Sequence, residues 1–140
     1  MSAANPVDPR VTGLLVELKL NHEVGDDGDV RVGFETEGGR KQIIVVSSQT
    51  SQFGAMEIRE LFSPAVFFDG FLDVELANAV LVINAEMKMG SWRILRGSGR
   101  VQSALTFGVQ IAAGASAASL LTSLHLVCAA TDEMEKQLTR

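Results

Sequence analysis

Between Val101 and Thr131 the chain has no Asp, Glu, Lys or Arg. A stretch this apolar must be buried, either in a membrane or inside a folded domain. Its pattern decides between them. Val101, Leu105, Phe107, Val109 and Ile111 alternate with Gln102, Ala104, Thr106, Gly108 and Gln110, the period of two of a strand with one buried face. Gly114 breaks the run. Leu120, Leu121, Leu124, Val127, Cys128 and Leu138 then share a helical face, and Asp132 to Lys136 carry that helix into solvent. Neither half supplies the roughly 20 strongly apolar residues a membrane span needs. The segment predicts a strand from Val101 to Ile111 and a closing helix from about Ser116.

The remaining composition agrees with one folded domain over residues 1–140. The chain is 46% hydrophobic and 21% charged, which is globular rather than disordered. A mean hydropathy of +0.20 is high for a domain of this size, and a covered oligomer interface is one ordinary reason for it. The net charge of −5 disfavours non-specific binding to nucleic acid or anionic membrane. The single cysteine, Cys128, excludes an internal disulfide and a cysteine-based zinc cluster, and fits a reducing, cytoplasmic setting. Met1 to Arg10 has no apolar run of the kind a secretory signal carries, and residues 1–7 read as a flexible lead.

Along the chain, Asp8 and Pro9 are the cap and first position of a helix whose Val11, Leu14, Leu15 and Leu18 share a face, with a stop near Asn21. A polar, acidic loop follows. Val30, Val32 and Phe34 alternate as a strand, Gly38 and Gly39 reverse the chain, and Ile43 to Val46 read as a central strand covered on both faces. Met56, Ile58 and Leu61 or Phe62 mark a third strand, with Glu57, Arg59 and Glu60 facing out. Phe62 to Phe71 holds four of the seven phenylalanines, and its Pro64 and Gly70 predict an irregular segment. Asp73 starts a second helix, closed by Gly90. Its Leu76, Ala77, Val80, Leu81, Ile83, Asn84 and Met87 form a sector broad enough to be buried on more than one side. Trp92 and Ile94 make a fourth strand, and Gly97-Ser98-Gly99 turns it back. The order α-β-β-β-α-β-β-α with short connections predicts an α+β domain: an antiparallel sheet with helices packed on it.

Candidate sites are few. Phe67, Phe68 and Phe71 read either as a docking patch for a protein partner or as a lid on the core. Lys88, Arg93, Arg96 and Arg100 surround Trp92 and suggest a single-strand nucleic-acid site, although alternation sets Trp92 and Arg93 on opposite faces. Asp26, Asp27 and Asp29 lack the spacing and distal glutamate of a calcium loop. His125 and Cys128 can meet on one helical face, without an orienting group or an oxyanion site. No catalytic residue, metal site or cofactor is expected.

The succession of elements resembles the type III secretion chaperone-like fold, and in particular the YbjN-like proteins. The likeness rests on Leu14-Leu15-Val16-Glu17-Leu18 leading through an acidic turn into Gly28-Asp29-Val30-Arg31-Val32, and on Leu76-Ala77-Asn78-Ala79 followed by Ile83-Asn84. It also rests on the final hairpin that steps through small residues into a long helix. The resemblance implies a non-catalytic homodimer that offers apolar surface to a protein client. It places Val80, Ile83, Asn84 and Met87 near a twofold axis, residues that a monomer core would use equally well. The expectation is therefore a chaperone-like or regulatory protein-interaction module. Its alternative is a nucleic-acid-binding regulator that uses residues 88–100.

Overall fold

The structure, a computed structural model, describes residues 6–138. The expected flexible lead lies outside the described residues up to residue 5, and Val7 at its end packs against the core. Helix α1 (Pro9–Glu17) starts as predicted, with the Asp8 carboxylate accepting the Arg10 N–H at 2.9 Å. It ends short of Asn21. Lys19 takes φ +58° and donates its N–H to the Val16 carbonyl, while Leu20 donates to Leu15, both at 3.0 Å. These bonds form a Schellman closure built on a lysine instead of the usual glycine.

The loop expected next contains a short edge strand, β1 (His22–Val24), which pairs across the acidic turn with β2 (Val30–Glu35). Gly38 and Gly39, both at positive φ, then reverse the chain. Strands β3 (Lys41–Phe53) and β4 (Met56–Phe68) are much longer than the sequence pattern suggests. Helix α2 (Val74–Glu86) follows, its Leu76 N–H held by the Asp73 carboxylate at 3.2 Å. Strands β5 (Ser91–Leu95) and β6 (Ser103–Ala112) form the last hairpin, and α3 (Ala117–Leu138) closes the chain. The hairpin loop is longer than a tight Gly-Ser-Gly turn, so β6 begins two residues after Val101.

All pairings are antiparallel, in the order β1-β2-β3-β4-β6-β5. The fold is therefore the expected α+β arrangement. One set of strand alternates forms the core: Val30 and Val32, Ile44 and Val46, Leu61, Leu105, Phe107, Val109 and Trp92. Val11 and Leu15 of α1, Val80 of α2, and Leu120, Leu124 and Val127 of α3 pack against them.

Two expectations fail in β4. The Phe-rich segment is not irregular from its start, since Phe62 to Phe68 continue the strand beside β6. Pro64 is tolerated because the β4–β6 register shifts between it and Val66, and a bulge accepts a residue without an N–H. The β3 ladder has already ended there at Val45–Phe62, and the Ser63 hydroxyl donates to the Ile43 carbonyl at 2.7 Å instead. Arg59, expected outside, is 2% exposed. Its guanidinium donates to the carbonyls of Ser47 (2.7 Å) and Ser48 (3.2 Å) and to the Asp8 carboxylate at 2.6 Å. Those carbonyls lie where the β3–β4 register shifts between Val46 and Thr50, so the arginine satisfies groups that a β-bulge takes out of the ladder.

Candidate interaction surfaces

The alternates that do not enter the core form an outer sheet face. Alternation places Ile43 and Val45 of β3, Phe62 and Pro64 of β4, Phe67 beyond the β4–β6 register shift, and Leu95 of β5 on this side. Ile43 is 42% exposed, Phe67 59% and Leu95 41%. The run Ile43 to Val46, expected to be covered on both faces, is thus covered on one: Ile44 and Val46 lie in the core, while Ile43 does not. Polar groups rim the strip. Arg31, Glu35 and Lys41 stand at the β2 side, and Glu60 and Gln110 stand toward the other end of β4 and β6. Glu60 pairs with Arg93 of β5, whose side chain lies against Gly108, where any Cβ would collide with it.

A second uncovered surface runs along α2. Leu76, Val80, Ile83 and Met87 face the core, whereas Val74, Leu81 and Val82 are exposed by 61% or more. The helix is apolar nearly all round, yet Val80 alone on it is fully buried. The expected burial on more than one side is not realised within this chain. Leu81, one of the residues assigned to that buried sector, points outward.

The residues singled out as sites separate accordingly. Phe67 is on the outer face, Phe68 packs against the core, and Phe71 stands in the following loop, almost fully exposed and 5.8 Å from the Arg96 guanidinium. Val80, Ile83 and Met87 serve this chain's own core. Asn84 accepts the Trp92 N–H at 2.7 Å and donates to the Trp92 carbonyl at 2.9 Å. Its amide thereby occupies the edge of β5 as a neighbouring strand would.

The basic cluster does not converge. Trp92 is 6% exposed, edge-on to Phe107 at 5.3 Å between ring centroids, so a base cannot stack on it. Arg93 is paired to Glu60 on the opposite face, and Arg96 donates to the Gly70 carbonyl at 2.9 Å. Lys88 and Arg100 remain exposed.

Elsewhere, polar groups serve the fold. The Asp27 carboxylate accepts the Asp29 N–H, and Asp29 accepts the Ser48 N–H, each at 3.0 Å. Among the described residues no group of His, Cys, Asp or Glu is arranged to hold a metal ion. Burial, with Asp132 nearby, pushes the Cys128 thiol up, the opposite of nucleophile activation. His125 sits against Phe34, with ring centroids 5.7 Å apart. Sequence reasoning missed Asp132, which is 6% exposed. It accepts from Thr36 and Arg40 at 2.9 Å and from Gln42 at 3.3 Å, tying the β2–β3 hairpin to α3. Among the described residues no helix is long and apolar enough to cross a membrane.

No protein-family model matches this chain, and no curated protein or solved structure matches it either.

Proposed function

We propose that this chain is a non-catalytic protein-interaction module that acts as a homodimer and binds an apolar, extended segment of a partner protein on its outer sheet face. The observation that carries this reading is the exposure of Ile43, Phe67 and Leu95 on one face of the sheet, with a polar rim around them. A flat sheet face suits an extended segment, because side chains two residues apart on the segment meet that face together. Burying such side chains contributes at most roughly 1.5–3 kcal/mol each, and the cost of ordering the segment offsets part of it. The resemblance in element order to secretion chaperones and YbjN-like proteins supports the same reading.

Selection from a displayed library of random 12-residue peptides tests it. The wild-type protein should enrich binders with alternating apolar residues, and the Ile43→Glu, Phe67→Glu variant should lose them while keeping its melting temperature. Binders that hold equally well to that variant would refute the outer-face site.

A further inference from the structure

We infer that the bulge in β3 builds a binding notch for a neutral saccharide on the outer sheet, near the β3–β4 turn. The register places Val46 opposite Leu61 and Thr50 opposite Arg59, so Ser47, Ser48 and Gln49 together stand against Glu60 alone. Ser48 turns inward, 8% exposed, and its hydroxyl donates to the Gly28 carbonyl at 2.6 Å. Ser47 and Gln49 on either side of it stay on the outer face, where the bulge opens the strand surface. With Ser51, Glu60 and Gln110 they line a cavity of about 360 Å³, within the size range of small-ligand sites. The bulge is held from the core side, where Arg59 donates to the Ser47 and Ser48 carbonyls. The notch is therefore formed before any ligand arrives, which removes an ordering cost from binding.

The chemistry of the lining selects the ligand. Among the described residues, the side chains of Ser47, Gln49 and Ser51 have no hydrogen-bond partner. Hydroxyls and amides both donate and accept, as the hydroxyls of a sugar do. Gln110 donates to Glu60 at 3.4 Å, which sets an amide beside a carboxylate, a pair that can engage neighbouring sugar hydroxyls as donor and acceptor. The Glu60 charge is met by Arg93, and no Lys or Arg lines the cavity itself, so a phosphate or carboxylate ligand would find no counter-charge there. Phe53, 65% exposed at the turn, and Ile58 supply an apolar wall for the C–H face of a pyranose ring. The notch is distinct from the surface around Ile43, Phe67 and Leu95, and neither site depends on the other.

Amide NMR titration of the full chain tests the notch, with glucose, galactose, mannose, N-acetylglucosamine, maltose, cellobiose and N,N′-diacetylchitobiose as probes. At least one should shift the amides of residues 47–51, 58–60 and 110 with a dissociation constant of roughly a millimolar, leaving residues 43, 67 and 95 unmoved. Gln49→Ala, Gln110→Ala and Phe53→Ala should each weaken that binding about tenfold. All three side chains are exposed, so the melting temperature should stay that of the parent, and a variant that departs from it yields to the other two. The Ile43→Glu, Phe67→Glu variant should bind the sugar as the parent does. The notch is overturned if no probe shifts these amides at about 50 mM, if the shifts spread over the whole surface, or if the three alanine variants bind as tightly as the parent. Any of these results leaves the peptide site on the outer face standing, because that site is read by different residues and a different ligand.

Discussion

Arg59 shows why a single residue can defeat a pattern. Met56 and Ile58 set an apparent alternation in which Arg59 faces out, yet the strand turns Arg59, Leu61 and Ser63 inward and Ile58 outward. The reason is the bulge in β3, invisible in the sequence, whose carbonyls need a donor reaching from inside. Replacing Arg59 with Met would leave those carbonyls unsatisfied and Asp8 without its buried partner. We expect a loss of about 3 kcal/mol, read as a lower urea midpoint with an unchanged slope.

Asp132 offers a test by pH. Hydrogen bonds from Arg40, opposed by burial and aided by Thr36 and Gln42, hold its carboxyl well below the usual carboxylate range. A carboxyl depressed in the folded state stabilises the fold above its unfolded pKa near 4, and that contribution is lost as pH falls toward the folded value. Burial raises Asp8, but Arg10 and Arg59 outweigh it and leave it depressed too. Melting temperature should therefore fall between about pH 4 and pH 2, and Asp132→Asn should flatten part of that fall. An unchanged slope in the variant would remove Asp132 from the account.

At the scale of elements, periodicity and capping predicted well where local chemistry decides. The Asp8-Pro9 start, the Asp73 cap, the Gly38-Gly39 reversal and the strand-to-helix reading of residues 101–131 are all found. Boundaries failed where the deciding backbone geometry leaves no residue-type signal. Lys19 closes α1 by backbone geometry, and Pro64 survives in β4 where the register with β6 shifts. Helix α2 is the instructive case. An all-round apolar helix reads as buried all round, and no pattern in one sequence separates burial within the chain from burial against a second molecule. Asn84 gives this element its own test. Asn84→Leu would strip both hydrogen bonds from the Trp92 backbone, and we expect a loss of about 2 kcal/mol with faster amide exchange at Trp92. Protection unchanged at Trp92 would mean that α2 does not guard the β5 edge.

Over the whole molecule, α+β class and antiparallel pairing follow from short strands joined by turns and flanked by amphipathic helices. Which sheet face stays open does not follow, because both sets of alternates in β3 and β4 include large apolar residues. The structure resolves that ambiguity by placing the core on one side only. What remains uncovered, the outer face and the exposed side of α2, is where we locate function. Light scattering on two pairs of substitutions tests this most directly. Leu81→Asp with Val82→Asp should give a folded particle of the 15.0 kDa monomer mass, against twice that mass expected for the parent, while Val80→Asp with Ile83→Asp should unfold the chain. If the parent is already monomeric, or if the second pair yields a folded monomer while the first leaves the dimer intact, the inward and outward sides of α2 have been assigned the wrong way round or the dimer does not exist.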